Sequence, residues 1–262
     1  MKLSVSNIAW TSETDVEMYK LLCDMGFQGL EIAPTRIFPQ DPYDRLSEAS
    51  AFAAGLKKEY GLSIPSIQSI WYGRNECIWS GENEREILAG YTKKAVDFAA
   101  AVNCSNLVFG CPRNRNIPEN SNADAAHEFF KEIGDYAHSK GTCIGLEANP
   151  PIYNTNFINT TKEAVEFILQ TGSEGLRLNL DLGTMINNNE DLGVLNGNED
   201  LINHVHISEP GLASVRERSI HRELKFLLED TGYQGFVSIE MGSKVSGREL
   251  RDSMSYVTSI FG

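Results

Sequence analysis

Short apolar runs bounded by glycine and polar residues alternate along this chain with longer stretches whose apolar positions recur at helical spacing. The strand-like runs are 3–8, 29–32, 62–67, 106–109, 142–146, 176–180, 204–207 and 236–239. The helical stretches are 13–25, a helix within 42–60, 84–102, 123–139, 160–171, a weaker and shorter one at 187–195, 220–231 and 248–260. Ser12 or Thr11 suits the N-cap of the first helix, and Thr160 or Thr161 that of the fifth. Glycines stand before several strands, at Gly26, Gly29, Gly61, Gly141, Gly175, Gly232 and Gly235, where the chain leaves a helix and returns to the sheet. Strand followed by helix, eight times over, predicts an α/β fold, a single (β/α)8 TIM barrel spanning residues 1–262. A doubly wound open sheet is the alternative. It lacks support because no glycine-rich phosphate loop follows the first strand.

Candidate chemistry sits where four of these strands end. Gly145-Leu146-Glu147, Asn179-Leu180-Asp181, His204-Val205-His206 and Ser238-Ile239-Glu240 each close on a side chain able to bind a metal. In a parallel barrel the C-terminal strand ends converge on one mouth. Glu147, Asp181, His206 and Glu240 would then share a pocket, and an unpaired carboxylate after an apolar strand is costly to bury. Three carboxylates and an imidazole suit an open site for one divalent ion. Mn2+, Mg2+ or Co2+ fit best, and Zn2+ is the alternative. A buried ion-pair network without metal is the competing reading. His204 alternates with His206 on the same strand face, one layer deeper, and reads as a core histidine.

Composition narrows the partners. With 262 residues and 41% hydrophobic content the chain can bury a sizeable core. Its formal charge of −13 opposes nucleic acid and anionic membranes, and no Lys/Arg stripe offsets it. The five cysteines are odd in number and show no C-x-x-C spacing, which argues against a disulfide framework or a structural zinc site. The N-terminus lacks the apolar stretch of a signal peptide, and no run matches a transmembrane helix, so a cytoplasmic location is expected. A small-molecule substrate is the natural partner, with a homo-oligomer left open.

The segments Gly145-Leu146-Glu147-Ala148-Asn149-Pro150, Leu180-Asp181-Leu182-Gly183, His204-Val205-His206-Ile207-Ser208-Glu209-Pro210 and Ser238-Ile239-Glu240-Met241 resemble the sugar phosphate isomerase/epimerase family of the xylose isomerase-like barrels. The resemblance runs over essentially the whole chain. It implies that Glu147, Asp181, His206 and Glu240 hold one divalent metal, and that Glu147 and Glu240 also move protons. The implied reaction is isomerisation or epimerisation of a sugar or sugar phosphate, through proton transfer and a metal-bound enediolate. Two departures stand out. The ketose epimerases carry a second glutamate soon after the first, where this chain has Pro151-Ile152-Tyr153-Asn154. They often have a histidine shortly after the metal-binding Asp, where Thr184 stands here.

Around the mouth, Trp10, Gln68, Arg113, Arg115, Asn149 and His221 are the candidate substrate contacts. Arginines bind phosphate, carboxylate or hydroxyl groups. Glu31 and Arg36 follow the second strand, and Cys111 lies in the loop after the fourth. The competing functions are a metal-dependent polyol dehydratase resembling inosose dehydratase, a non-catalytic sugar-binding barrel and an endonuclease IV-like nuclease. The last needs a histidine-rich multi-zinc centre, and this acidic chain has five histidines, two of them on a helical stretch.

Overall fold

The computed structural model describes residues 1–262. The elements follow in the order β1 (Lys2–Ser6), α1 (Asp15–Asp24), β2 (Gly29–Glu31), α2 (Pro34–Ile37), α3 (Leu46–Tyr60), α4 (Glu82–Ala101), β3 (Leu107–Phe109), α5 (Asp124–Ser139), β4 (Ile144–Leu146), α6 (Thr161–Thr171), β5 (Leu176–Asp181), α7 (Leu182–Asn188), β6 (Ile202–Ile207), α8 (Ser219–Asp230), β7 (Phe236–Ile239) and α9 (Gly247–Phe261). The strands form one parallel sheet in the order β2-β1-β7-β6-β5-β4-β3. This is an α/β, TIM-barrel-like fold.

The sheet has seven regular strands where eight were expected. The segment 62–67 lies between the sheet's two end strands but makes only isolated bridges, Ser63 to Gly29 and Ile67 to both Ile32 and Leu107. Its backbone still bonds to both sides: Leu30 N donates to Ser63 O at 2.9 Å, and Val108 N to Ile67 O at 2.8 Å. Pro65 explains the interruption, because a residue without an N–H cannot continue a ladder.

Local chemistry sets the helix ends. Thr160 and Glu163 form a reciprocal capping box at α6, and Ser246 and Glu249 form one at α9. The weak helix expected at 187–195 is displaced. Asp181 ends β5 and directly caps α7, its carboxylate accepting from Thr184 N at 2.6 Å. Asn189 in the left-handed region (φ 56°) stops that helix, and only the 3-10 turn Leu192–Leu195 remains of the expected stretch. The chain ends meet where the Met1 amino group donates to Phe261 O at 2.9 Å.

The alternating side chains of each strand divide the burial. Leu3, Val5, Val205, Val237 and Ile239 belong to the apolar cluster shared with the surrounding helices. The opposite set, including Ser4, Ser6, Asn179, His204 and Ser238, is buried and polar. Asn106, just before β3, donates to Asn179 Oδ1 on β5 at 3.2 Å, across the intervening β4. Gly145 on β4 makes this reach feasible, since a Cβ there would lie 2.4 Å from Asn106 Oδ1. The interior under the mouth is therefore a polar layer, hydrogen-bonded through Ser6, Asn106, Asn179 and His204, with the hydroxyls of Ser4 and Ser238 unpartnered.

Candidate active site

Four consecutive strands deliver the central side chains. Glu147 follows the buried β4, Asp181 ends β5, His206 is the penultimate residue of β6 and Glu240 follows β7. Register brings them level: Asp181 pairs with His206, and His206 with Ser238. One ligand atom from each of the four lies within 4.8 Å of every other. His206 Nδ1 is the hub, 3.0 Å from Glu147 Oε1, 3.4 Å from Glu240 Oε2 and 4.0 Å from Asp181 Oδ2.

The carboxylates are held unequally. Glu147 Oε1 accepts from Asn179 Nδ2 at 2.9 Å and its Oε2 from Asn149 Nδ2 at 3.2 Å. Asp181 accepts from Thr184 N and from the Ser208 hydroxyl. Glu240 meets only His206 through its carboxylate. All four side chains open onto, or lie just beneath, a cavity of about 170 Å³ whose walls include Gln68, Gly110, Asn149, Tyr153, Ser208 and Leu212. Gly110 lets the backbone come close, because a Cβ there would stand 2.9 Å from Glu147 Oε2.

Burial first, and then mutual charge, displaces the pKa values of several of these groups. Burial, followed by the charge of Glu147, pushes Asp181 up to about 6. Burial likewise pushes Glu240 up to about 7 against the pull of His206. Burial alone would depress His206, yet Glu31 and then Glu240 outweigh it and hold the imidazole well above its usual range. Glu31 is the counterpart. Burial would raise it, but the charge on His206 and hydrogen bonds from both histidines hold it well below the carboxylate range.

Three converging carboxylates thus share the imidazole of His206, and burial disfavours the charge of Asp181 and Glu240. That is the electrostatic deficit a divalent cation would relieve. The donor set, oxygen-rich with one nitrogen, suits a divalent cation. Asn149 Oδ1 is a further buried acceptor beside the pocket without a partner.

The remaining candidates divide. Gln68 and Asn149 line the pocket. Arg115 does not. It is fully buried, and its guanidinium donates to the backbone oxygens of Glu147 at 2.8 Å and Ile158 at 3.3 Å. It therefore supports the loop carrying Glu147 and does not face substrate. Arg113 is exposed on the rim of an adjoining cleft. Trp10 is buried outside the pocket, with Nε1 donating to Asp15 Oδ1 at 2.7 Å. His221 is buried between α8 and α9, its Nδ1 2.9 Å from the Tyr256 hydroxyl. Cys111 lines the pocket as a thiol, pushed up to about 12 by burial.

Sequence reasoning undervalued Glu31. It accepts from His204 Nε2 at 3.0 Å and from His206 Nε2 at 2.8 Å. A signal existed: Gly29-Leu30-Glu31 repeats the tripeptide Gly145-Leu146-Glu147 at another strand end.

The chain belongs to the xylose isomerase-like TIM barrel family, whose sequence model matches residues 19–260. It is 24% identical over 278 residues to the 3-dehydro-D-guloside 4-epimerase of Escherichia coli (strain K12), covering 98% of this chain and 99% of that protein. The apo crystal structure of 3-keto-D-glucoside 4-epimerase from E. coli superposes with a TM-score of 0.76 at 22% identity, over 99% of each chain. D-psicose 3-epimerase, crystallised in the presence of D-fructose, gives 0.79 at 16% identity over 100% of both chains. At these identities the structural matches speak for the fold alone.

Proposed function

We propose that this protein is a divalent-metal-dependent sugar epimerase or isomerase. The observation carrying this reading is the convergence of Glu147, Asp181, His206 and Glu240, with ligand atoms within 4.8 Å of one another, beneath a small polar cavity. Kinship with sugar epimerases supports the substrate class.

In this reading the four side chains hold one ion, Mn2+, Mg2+ or Co2+ by their donor chemistry. When bound, such an ion polarises a substrate carbonyl and acidifies the neighbouring C–H. Glu147 and Glu240 stand on either side of His206 and act as the proton-transfer pair. One removes the proton α to the carbonyl. The other, starting protonated, delivers its own proton to the opposite face and inverts that carbon, whereas delivery of a proton to the adjacent carbon exchanges aldose and ketose. Asn149 and Asn179 keep Glu147 aimed through its two oxygens, while Glu240, tethered only at His206, has the freer carboxylate. Gln68 and Asn149 supply amide groups for substrate hydroxyls. Arg113 is exposed in the adjoining cleft, next to the lining residues Cys111 and Pro112, and does not itself line the pocket.

The pocket lining contains four carboxylates, Glu147, Asp181, Glu209 and Glu240, and no lysine or arginine. Glu209 is neutralised by a bidentate pair with Arg218, which leaves that arginine committed. An uncharged sugar therefore fits better than a phosphorylated one.

The test is proton-exchange NMR in D2O. Metal-loaded protein is incubated with a panel of ketohexoses, 3-keto-glycosides and matching sugar phosphates. Deuterium should enter at a carbon next to the carbonyl of an uncharged substrate. Absence of exchange across the panel, with metal demonstrably bound, would overturn the reading.

A further inference from the structure

Glu31 is the most completely buried carboxylate near the site, with no solvent exposure, and it does not line the cavity. We propose that Glu31 is the positioning residue of the metal site: it clamps the His206 ring so that Nδ1, and not Nε2, faces Glu147, Asp181 and Glu240. The proposal rests on the reading of those residues as a metal-holding set.

The geometry is two-sided. His206 sits between two groups of carboxylates and has one ring nitrogen for each. Glu31 Oε2 lies 2.8 Å from Nε2, while Nδ1 faces the other three. An ionised carboxylate only accepts hydrogen bonds, so Nε2 must carry the proton that points to Glu31. The lone pair available to a cation is then on Nδ1. Rotating the ring by half a turn about Cβ–Cγ would break the Glu31 bond and move both nitrogens off their partners. A metal-ligating histidine anchored through its other nitrogen is both oriented and made more basic.

Glu31 is itself held. Its Oε1 accepts from Gln68 Nε2 at 3.0 Å, and Gln68 also donates to the Ser6 hydroxyl. His204, two residues before His206 on the same face of β6, donates to the same Oε2 at 3.0 Å and packs edge-on against the His206 ring, centroids 5.3 Å apart. A buried carboxylate is tolerated here because three donors converge on it. His204 therefore belongs to the clamp's support and does not approach the pocket.

The test measures Mn2+ affinity by calorimetry on the full chain. Glu31→Gln, nearly isosteric, should bind Mn2+ about 10- to 100-fold more weakly, the loss typical of an outer-shell partner. Its circular dichroism and elution volume should match wild type. His204→Gln retains a donor toward Glu31 and should stay within about threefold of wild type, a smaller loss than Glu31→Gln on the same scale. A drop in His204→Gln equal to that in Glu31→Gln would mean general loosening of a buried network, and would overturn the positioning role. So would unchanged affinity in Glu31→Gln. Should Glu31→Gln fail to fold, wild-type protein loaded with ¹¹³Cd decides through its ¹⁵N spectrum. Cadmium coupling to His206 Nδ1 supports the clamp, and coupling to Nε2 overturns it. Wild-type protein that binds neither ion removes the metal reading and this proposal together, whereas intact binding with unaltered Glu31→Gln removes only the proposal.

Discussion

Asp181 and His206 are partners in the parallel ladder between β5 and β6, and their facing atoms, Oδ2 and Nδ1, stand 4.0 Å apart. The same Asp181 caps α7 through its other oxygen, 2.6 Å from Thr184 N. One side chain thus joins a helix start to the proposed metal site. The short α7 is what fixes its direction, because an N-cap carboxylate cannot rotate away without leaving the first-turn N–H unpaired.

This double role gives a separable prediction. Asp181→Ala should lose metal, as read by elemental analysis, and lose about 0.5–2 kcal/mol of stability with the cap. Asp181→Asn keeps a good capping side chain while removing the charge. It should melt close to wild type in the metal-free state yet bind Mn2+ far more weakly. Undiminished metal in Asp181→Ala would exclude Asp181 from the ligand set.

Glu147→Gln and Glu240→Gln preserve size and one oxygen donor but remove the base. Each should lower turnover at least roughly 10²-fold, the lower end for general acid–base groups. Solvent-deuterium exchange in metal-loaded protein is the informative readout, because metal loss alone would also silence the enzyme. Wild-type exchange in both loaded variants would rule out the two-glutamate scheme.

His221 predicts an acid-labile contact between α8 and α9. Burial lowers its imidazole from 6.5 to about 4. A group depressed on folding contributes stability that is fully present above the unfolded value and is lost as pH falls toward the folded value. Stability should therefore decline between about pH 6.5 and 4, by at most about 3 kcal/mol from this group. Replacing it in His221→Gln should flatten that limb of the melting-temperature profile. An unchanged acid limb would assign the loss to other groups.

Net charge predicts the absence of a nucleic-acid partner. At −13, duplex DNA should show no appreciable binding at physiological salt in a fluorescence titration. Submicromolar, salt-sensitive affinity would reopen the nuclease reading.

Much of this architecture is readable from local pattern. Strands such as 204–207 and 236–239 announce themselves because short apolar runs end in polar residues, and helices such as α5 because apolar positions recur on one face. Glu147, Asp181, His206 and Glu240 could be grouped from sequence because parallel strands in one sheet must end on the same side, so strand order alone collects their tips. The extent of 62–67 as a strand was less legible: Pro65 was visible, but whether its missing donor would interrupt the ladder depends on both neighbouring strands.

Tertiary contacts decided the rest. Arg115 has the sequence context of a mouth residue, yet its guanidinium folds inward onto the carbonyls of Glu147 and Ile158, residues 32 and 43 positions away. Glu31 carries the same local tripeptide as Glu147, but its partners His204 and His206 lie 173 and 175 residues along the chain. The sequence alone determined which residues stand at strand ends, because secondary structure follows short-range periodicity. Which strand-end carboxylate faces the pocket and which is buried behind a histidine was decided only by the tertiary packing of the strands, since burial and hydrogen-bond partnership belong to residues distant in sequence and adjacent in space.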